Sequence, residues 1–585
     1  MIYKDYIRVL HIDLNTEKIH IDERRDLMQY LGGVGVAAKL LEEHMHPDLK
    51  PLAQEQPIVF AIGAMSAIYP VVTKTVAMFI SPLTGELGES YAGGRMAMTM
   101  FEAGFDAIVI NGKSSRPTYL TISYNDVLFR DARTLWNTGQ DSTGRIIRDY
   151  EKGQGGKRSI IRIGAAGENL VSYASVNVDR YRHFGRLGLG ALFGSKYLKA
   201  INIIGGRSIP IENFKDYFKI YRSIYDKATA PGGSMSKYHD IGTPINVESL
   251  NASGALPTLN LRQGSFEHAE NVSGEAFAVK HLVRKMACTG CPVGCIHIGQ
   301  FRNVFSGSEH EYETVLVGYD YELIFSLGTF LGIEISQNIL ELIDDVETYG
   351  LDAMSAGVCL GWATEAFQNG LISINETIVP LSFGDSEAYR EAIKYISEAK
   401  NEFYRHLGQG VRHASEVYGG GDYAMHIAGN EMPGYHTGYG SLIGAAVAAR
   451  HSHLCNAGYS IDQNMKGDEA DTDKIAGELL KEELERCMLN SLVICLFARK
   501  VYDRETIIKA LAAIGRNLTD EELTAIARRN YAIKLRIKKA LGFDLLDVSL
   551  PKRFFQTPSM HGKLDEATAY KIIKKYRGLL AEFTD

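Results

Sequence analysis

The segment "AINIIGGRSIPIENFKDYFKIYRSIYDKA", residues 200–228, joins two kinds of sequence pattern. Its first part, "AINIIGG", is a short apolar run that ends in glycines, as a buried strand does. Its last part, "FKDYFKIYRSIYDKA", places apolar residues three or four positions apart, which is the spacing of an amphipathic helix. The segment therefore predicts that a sheet-rich region ends near residue 208 and that helices follow.

The chain on either side of this segment has the same two patterns. Upstream, "IRVLHIDL", "PIVFAIGA" and "DAIVING" are short β-type runs bounded by turn-forming residues. Downstream, "SEAYREAIKYISEAKNEFY" and "DEELTAIARRNYAIKLRIKKAL" have helical spacing. The sequence thus predicts an α+β protein with a β-rich domain at 1–208 and two mostly α-helical domains at 209–405 and 406–585. No internal repeat is visible in the sequence.

Composition and charge narrow the function classes. The 585 residues are 45% hydrophobic and 23% charged, as in ordinary globular proteins. A formal net charge of −7 argues against nucleic acid as the main partner. No apolar run approaches the ~20 residues that cross a bilayer, so membrane insertion is not expected. The N-terminus lacks the apolar core of a secretory signal, and seven cysteines show no pairing framework, so we expect a cytoplasmic protein.

Three of the seven cysteines lie in eight residues, "CTGCPVGC", as Cys288, Cys291 and Cys295. A zinc site needs four ligands, usually with a second cysteine or histidine knuckle, and none follows here. A [4Fe–4S] cluster also takes four thiolates, commonly three close together and one remote. Cys495, in the apolar segment "LVICLF", is the remote candidate. The spacing favours such a cluster, with a zinc site and structural thiols as the alternatives.

The glycine-rich segment 33–38, "GVGVAA", fits the loose dinucleotide-binding pattern G-x-G-x-x-A. That pattern indicates nucleotide binding only after a strand and inside a βαβ unit. The preceding "DLMQYL" has helical character, so we interpret the glycines as sites of close helix packing.

Ordered stretches along nearly the whole chain resemble one known family. They include "LGGVGVAAKLL" near the start, "SPLTGELGESYAGG" at 81–94, "NVDRYRHFGRLGLGALFGSKYLKAI" at 177–201, "GLDAMSAG" at 350–357 and "LPKRFF" at 550–555. In this order and spacing they resemble the aldehyde ferredoxin oxidoreductase family, whose members carry a tungsten bis-pterin cofactor. The resemblance implies a β-rich N-terminal domain that forms a base under the cofactor, two mostly helical domains, and a [4Fe–4S] cluster close to one pterin.

The resemblance also implies which groups hold the pterins and their phosphates. Glycine loops let backbone N–H groups approach phosphates, and arginines clamp them. The positions matching such family residues are Lys74, Gly93, Gly94, Arg95, Arg182, Glu347, Leu351, Asp352, Asn490 and Leu496. Relatives often have arginine in place of Lys74 and aspartate in place of Glu347 and Asn490. Tyr91 replaces an asparagine that assists a Mg²⁺ bridging the pterin phosphates.

Catalysis needs a proton acceptor and a hydrogen-bond donor beside the metal. Glu313, in "EYE", matches the active-site glutamate of the family. The segment "AARHSHLCNAGYSID" occupies the region where relatives carry an active-site histidine. His453 fits better after a gap, and His451 is the alternative. His436 is placed either in the pocket or in a structural role, and Cys455 is close enough in sequence to approach the tungsten.

The predicted function is therefore tungsten-dependent oxidation of an aldehyde to a carboxylic acid. Its electrons would pass through the [4Fe–4S] cluster to ferredoxin or to a small polyferredoxin-like Fe–S subunit, alone or in a homo- or hetero-oligomer. The departure around 450–455 motivates an alternative, the catalytic subunit of a tungsten-dependent aryl-thioester reductase of the benzoyl-CoA type. A zinc-stabilised, non-catalytic scaffold is the third interpretation. Molybdenum stays open, because the pterin supplies the metal ligands in either case.

Overall fold

The computed structural model describes residues 5–124, 126–151, 156–208, 211–305, 311–456, 458–465 and 471–583. Its N-terminal part contains two six-stranded sheets. The strands of the first sheet are β1 (Ile7–Asp13), β2 (Lys18–Arg24), β3 (Ile58–Ala61), β4 (Thr75–Ile80), β5 (Leu87–Ala92) and β6 (Ala107–Asn111). The strands of the second sheet are β7 (Thr118–Ile122), β8 (Val127–Asp131), β9 (Lys157–Arg162), β10 (Val176–Val178), β11 (Arg182–Phe184) and β12 (Leu198–Gly205).

The two sheets have the same topology. The first has the order β2-β1-β6-β3-β4-β5, and the second, read from its other edge, has the order β8-β7-β12-β9-β10-β11. In each sheet the first strand pairs in parallel with the last, β1 with β6 and β7 with β12. All other strand pairs of both sheets are antiparallel. The chain therefore contains a structural repeat, although no repeat is visible in its sequence.

The two sheets pack face to face. One apolar core combines Leu10, Phe60 and Ile110 of the first sheet with Phe184 and Ile201 of the second. The rings of Phe60 and Phe184 lie 5.5 Å apart, within the range of a favourable aromatic contact. Because successive strand residues point to opposite faces, the other face of the first sheet is free to pack against helices. The helices of this part are α1 (Gly33–His44), α2 (Met96–Ala103), α3 (Gln140–Tyr150), α4 (Ala165–Glu168) and α5 (Leu189–Ser195).

After β12 the chain is mostly helical. Its described strands form a three-stranded antiparallel sheet of order β13-β14-β15 and a two-stranded antiparallel pair, β16 with β17. The first helices are α6 (Phe214–Thr229), α7 (Ser236–Asp240), α8 (Asn246–Ala252) and α9 (Gly274–Lys280). The strands are β13 (Leu282–Met286), β14 (Ile296–Val304) and β15 (Tyr312–Tyr319). The following helices are α10 (Tyr321–Leu327), α11 (Ser336–Tyr349), α12 (Ala353–Gln368), α13 (Ile374–Thr377), α14 (Ser386–Glu398) and α15 (Glu402–Leu407).

The C-terminal elements complete the cover of the first sheet. They are α16 (Val411–Tyr418), β16 (His426–Ile427), β17 (Asn430–Glu431), α17 (Tyr439–Val447), α18 (Gly458–Asn464), α19 (Thr472–Ser491), α20 (Arg504–Ala512), α21 (Asp520–Ala540), α22 (Arg553–Gln556) and α23 (Glu566–Leu579). Helix α1 packs on β3 and β4 with one side and on α19 and α21 with the other. The sheets of the N-terminal part thus lie against helices that are close to the C-terminus.

The arrangement confirms the predicted α+β class, with sheets first and helices after them. The predicted division at 405/406 falls inside α15, and the largest apolar core extends from Ile7 to Phe583. The three-domain division therefore stays a prediction. Among the described residues no single helix is both long and apolar enough to span a membrane, although one bent pair, Tyr321–Leu331 with Ser336–Tyr349, meets the criterion by length and composition.

Candidate active site

A cavity of about 330 Å³ lies between the N-terminal sheets and the helical part of the chain. The atom-free space around it, including the part that opens to solvent, is about 1530 Å³. Lys74 and Gly93, which flank the β4–β5 hairpin, line it from one side, and Ser175 and Gly185, which flank the β10–β11 hairpin, line it from the other. These hairpins are equivalent in the structural repeat, so the two halves present the same end to one cavity.

The cavity wall carries four cationic side chains, Lys74, Arg182, Arg186 and Arg450. Nε of Arg182, Nη1 of Arg186, and Nε and Nη2 of Arg450 are buried and have no hydrogen-bond acceptor in the part of the chain that the structure describes. Buried donors without a partner are costly and uncommon. Planar guanidinium groups with free N–H groups bind phosphate or carboxylate oxygens. The wall therefore fits a large anionic group rich in acceptors.

A carboxyl–imidazole pair lies elsewhere in the same wall. Nε2 of His453 is 3.1 Å from Oε1 of Glu322, and both side chains line the cavity. Burial raises the pKa of Glu322 to about 8 and lowers the pKa of His453 well below its usual value. At neutral pH both groups are therefore expected to be mostly uncharged, Glu322 as the carboxylic acid and His453 as the neutral imidazole. Nδ1 of His453 is buried and has no partner among the described residues, so it remains available to a bound group.

Local structure explains where this pair lies. Strand β15 ends at Tyr319, and Asp320 caps α10 by accepting hydrogen bonds from the backbone N–H groups of Glu322 and Leu323. This cap places Glu322 in the first helical turn, at the end of the strand that reaches the cavity. The loop of His453 is held by Arg486, whose Nη1 donates to the carbonyl oxygen of His453 at 2.9 Å.

The "GLD" segment lies in the same wall as Arg182, although 170 residues separate Asp352 from Arg182 in sequence. Asp352 caps α12, and its backbone N–H donates to the carbonyl of Tyr173 at 2.9 Å. Nε of Arg186 donates to Oδ2 of Asp352 at 3.1 Å. Glu347, near the end of α11, also lines the cavity, and burial raises its pKa to about 8.

The cysteine loop adjoins the cavity at Gly93. A Cβ atom at Gly93 would lie 2.5 Å from Sγ of Cys288, 3.4 Å from Nζ of Lys74 and 3.7 Å from Cδ of Arg182. The backbone N–H of Thr289 donates to the carbonyl of Gly94 at 3.0 Å. Only a residue without a side chain allows the cavity wall to approach the first cysteine this closely.

Cys495 joins the other three cysteines through the segment before β4. Its backbone N–H donates to the carbonyl of Val71 at 3.2 Å, and the N–H of Val71 donates to the carbonyl of Gly290 at 3.1 Å. Negative charge on Cys495 contributes to the raised pKa values of Cys291 and Cys295, so the thiols lie within electrostatic range of one another. The structure thus brings all four predicted cluster ligands into one region.

The electrostatic environment differs among these thiols. Burial, aided by charges on neighbouring thiols, raises the pKa of Cys291 to about 12 and that of Cys295 to about 11. Burial would also raise the pKa of Cys288, but the positive charges of Arg182 and Lys74 outweigh it and lower that pKa. Among the described residues, no three His, Cys, Asp or Glu side chains are grouped closely enough to hold a single metal ion. A [4Fe–4S] cluster takes four thiolates, and Cys288, Cys291, Cys295 and Cys495 offer four free thiols.

Comparison with known proteins identifies the family. The family model "Aldehyde ferredoxin oxidoreductase, N-terminal domain" matches residues 9–205, and "Aldehyde ferredoxin oxidoreductase, domains 2 & 3" matches residues 219–583. The chain belongs to the aldehyde ferredoxin oxidoreductase family. This confirms the resemblance found in the sequence, and both model boundaries fall near the change from sheets to helices.

Individual members of the aldehyde ferredoxin oxidoreductase family are similar over nearly full length. The tungsten-containing aldehyde ferredoxin oxidoreductase of Thermococcus kodakarensis is 30% identical over 96% of this chain and 93% of the relative. The enzyme of the same name from Pyrococcus furiosus is also 30% identical, with the same coverage. A solved structure, the active-site complex BamBC of benzoyl coenzyme A reductase with 1,5-dienoyl-CoA, has a TM-score of 0.83 at 20% identity. It covers 98% of this chain and 94% of that chain, which shows a shared fold.

The structure does not bring Glu313, the predicted proton acceptor, to the cavity. Glu313 is exposed near the start of β15, where it lies opposite Asn303 of β14. At about 3.3 Å per residue, the seven residues from Glu313 to the cap at Asp320 correspond to about 23 Å of extended chain. The glutamate that lies beside His453 in the cavity is Glu322, with its Oε1 3.1 Å from Nε2 of His453. The sequence does indicate this position of Glu322. In "DYE", residues 320–322, a helix-capping aspartate and then a glutamate directly follow a strand, and the prediction had not used this motif.

The two candidate histidines have different surroundings. His453 lines the cavity, whereas His451 is not part of the described lining. Nε2 of His451 lies 3.1 Å from Oε2 of Glu86 and 3.2 Å from Nζ of Lys538, in a buried charged cluster. The preference for His453 agrees with this geometry, and its catalytic role stays a prediction.

The remaining predicted residues divide between the cavity and its surroundings. Lys74, Gly93, Arg182, Glu347, Leu351 and Asp352 line it. Gly94, Arg95, Asn490 and Leu496 are not in the described lining, and neither are His436 and Cys455. The side chain of Arg95 is exposed, with Nε 3.6 Å from Oδ2 of Asp179. Nε2 of His436 lies 2.9 Å from the carbonyl oxygen of Thr557. Arg186, Glu322 and Arg450 are cavity residues that the sequence analysis missed.

Proposed function

We propose that this chain is a tungsten-dependent aldehyde oxidoreductase with one [4Fe–4S] cluster. The observation that carries the proposal is one cavity between two equivalent hairpins. Its wall joins arginine N–H groups that have no acceptor among the described residues, a buried carboxyl–imidazole pair and, across Gly93, a four-cysteine site. Relatives at 30% identity are named tungsten-containing aldehyde ferredoxin oxidoreductases, which supports this substrate class. The net reaction is R–CHO + H₂O → R–COOH + 2 H⁺ + 2 e⁻.

The cavity residues would hold a tungsten bis-pterin. Arg182, Arg186 and Arg450 offer free N–H groups to phosphate or pterin oxygens, and Lys74 adds a charge. Two equivalent hairpins suit a cofactor with two equivalent pterins. When bound, the tungsten would supply the two-electron redox change. Tyr91 donates its hydroxyl to Oε1 of Glu89 at 2.6 Å, so a Mg²⁺ bridging the phosphates would depend on groups other than Tyr91.

Glu322 would accept a proton during the reaction, and His453 would donate a hydrogen bond to the substrate. Oxidation of an aldehyde with water releases protons, and a carboxylate near the reacting carbon accepts one of them. Because burial raises the pKa of Glu322 to about 8, this group exchanges protons near neutral pH. With Nε2 facing Glu322, Nδ1 of His453 is free to donate a hydrogen bond to a substrate oxygen. Glu322 thus replaces Glu313 in our proposal.

The four cysteines would hold the cluster that passes the electrons on one at a time. Gly93 separates the cavity from Cys288 by less than the width of a side chain, so the path between cofactor and cluster is short. Cys291, Cys295 and Cys495 are partly buried, and Cys288 is buried. An Fe–S protein, either ferredoxin or a dedicated subunit, is the proposed acceptor. The cytoplasmic location stays a prediction.

Turnover assays test the proposal. The chain is produced with tungstate and iron and assayed with aliphatic and aromatic aldehydes and a ferredoxin-type dye acceptor. Aldehyde oxidation, with tungsten and about four iron atoms per chain, is the expected result. Reduction of an aryl thioester without turnover of any aldehyde would overturn it in favour of the reductase alternative. Zinc in place of iron and tungsten would overturn both.

A further inference from the structure

A second pocket, which we call the outer pocket, adjoins the cavity. Its volume is about 550 Å³, and it lies among α7, α8, α18, α19 and the segment around 499–500. Tyr435 lines both the cavity and the outer pocket. The outer pocket also includes the exposed residues Lys237, Gln463 and Lys500, so it opens to solvent.

Two aromatic pairs form the partition between the cavity and the outer pocket. The ring of Tyr435 lies 5.3 Å from that of His453 on the cavity side and stacks at 4.9 Å on that of Tyr459, which lines the outer pocket. Phe497 lines the cavity and stacks at 4.3 Å on Tyr238, which lines the outer pocket. A molecule that passes between the stacked pairs would therefore move from the outer pocket directly to the Glu322–His453 pair.

Among the described residues that line it, the outer pocket carries a net positive charge. Lys237, Arg499 and Lys500 line it, and no acidic side chain in the described ranges forms an ion pair with any of them. The acidic lining residue Glu482 is already paired, with its Oε1 2.7 Å from Nε of Arg486. Nη1 of Arg499 donates to the carbonyl of Leu496 at 3.0 Å, which holds its guanidinium at the pocket.

We propose that the outer pocket binds the anionic tail, a carboxylate or a phosphate, of a carbonyl substrate whose reactive end passes Tyr435 into the cavity. This inference rests on the proposed function and specifies its substrate class. The three cations attract the tail, and the aromatic partition contacts the apolar part between the tail and the carbonyl carbon.

Matched aldehydes test the inference. The set is 4-formylbenzoate, 4-formylphenyl phosphate and the neutral methyl 4-formylbenzoate, assayed with the holoenzyme. One exposed charge contributes about 1.4- to 5-fold, so the variant Arg499→Gln/Lys500→Gln is expected to raise the ratio of anionic to neutral KM by about 2- to 25-fold. Comparison of 4-formylbenzoate with 4-formylphenyl phosphate shows whether the carboxylate or the phosphate is preferred. Lys481→Gln, an exposed lysine of α19 outside the pocket, is the matched control.

Two further measurements keep the inference falsifiable. Calorimetric titration with phenyl phosphate measures tail binding without turnover, so a failure of the proposed aldehyde chemistry does not hide the result. Weaker binding to the double variant, and to wild type at higher salt, is expected. An unchanged KM ratio together with unchanged phenyl phosphate binding would overturn the inference. Tyr435→Trp should lower kcat/KM for all three aldehydes together, and an unaltered value would overturn the proposed passage.

Discussion

In the proposed function, the proton chemistry of the candidate site depends on two side chains, Glu322 and His453. Glu322 and His453 are buried side by side, and neither can ionise at low cost unless the other carries the opposite charge. Glu313 has no such environment, because it is exposed on β15. Burial therefore distinguishes Glu322 from Glu313.

Replacing Glu322 should separate chemistry from assembly. We expect Glu322→Gln to keep iron, tungsten and fold but to lose about 10²–10⁴-fold in kcat, the usual contribution of a general base. Glu313→Gln is the matched control and should stay within about twofold of wild type, as exposed substitutions usually do. Steady-state kinetics with metal analysis measure both. If Glu313→Gln is the inactive variant, the assignment to Glu322 is wrong.

The pH profile of kcat/KM should report the same group. With the pKa of Glu322 raised to about 8, the carboxyl is protonated below that pH and cannot accept a proton. The rate should therefore rise about tenfold per pH unit and level off above pH ~8. Burial also raises the pKa of Glu347 to about 8, so Glu347→Gln is the control and should keep the inflection. An inflection that persists in Glu322→Gln and disappears in Glu347→Gln would reverse the assignment.

The hairpins β4–β5 and β10–β11 are equivalent in the structural repeat, and the equivalent end of each one lines the cavity. They differ in what lies behind them. Gly93, after β5, faces the sulfur of Cys288, whereas a Cβ atom at Gly185, after β11, would meet nothing within 4 Å. In the proposed function the cluster would therefore lie at only one of the two equivalent ends, and the two halves of a bound cofactor would not be equivalent in electron transfer.

Alanine at the two glycines should reveal this asymmetry. A methyl group at Gly93 would lie 2.5 Å from Sγ of Cys288, and overpacking of this kind costs about 1–3 kcal/mol. We expect Gly93→Ala to lower iron content and the electron paramagnetic resonance signal of the reduced cluster. Gly185→Ala, which also lines the cavity, should keep both. Full iron content in Gly93→Ala would argue against cluster ligation by Cys288.

Contacts between the first sheet and the C-terminal helices hold the N-terminal and C-terminal parts of the chain together. Lys534 and Lys538 of α21 reach Glu89 and Glu86, with N–O distances of 2.7 Å and 3.0 Å. The charges of Lys538 and His451 outweigh the effect of burial and lower the pKa of Glu86 to about 2. These buried ion pairs link residues more than 400 positions apart and lie beside the cavity wall.

Removing one partner should destabilise the molecule. Lys538→Met leaves the buried carboxylate of Glu86 without its cation, which costs about 3–5 kcal/mol. A lower denaturation midpoint in guanidinium chloride is expected, and Lys538→Met/Glu86→Gln should recover part of the loss. Because the folded pKa of Glu86 is depressed, its contribution is present above its unfolded value of 4.5 and is lost as pH falls towards 2. A midpoint unchanged by Lys538→Met would show that the pair contributes nothing.

Local patterns in the sequence were enough for the α+β order, the spacing of Cys288, Cys291 and Cys295, and the family. Strand and helix periods, turn residues and short motifs depend on neighbours within a few positions, so they can be recognised from the amino-acid sequence alone. The same locality explains the helix interpretation of the segment beginning at Gly33, which opens α1 against the backbone of Asn490.

Other features depended on contacts across hundreds of residues. The repeat of the two sheets is a property of strand order, and dissimilar sequences can share a strand order. Glu322, and not Glu313, lies at the cavity because a strand of fixed rise per residue ends there and a helix cap follows it. Arg450 becomes a candidate ligand because folding leaves its Nε and Nη2 buried without an acceptor among the described residues. Burial, register and unmet hydrogen bonds arise only when distant segments pack together, and they decide which of many charged residues face the site.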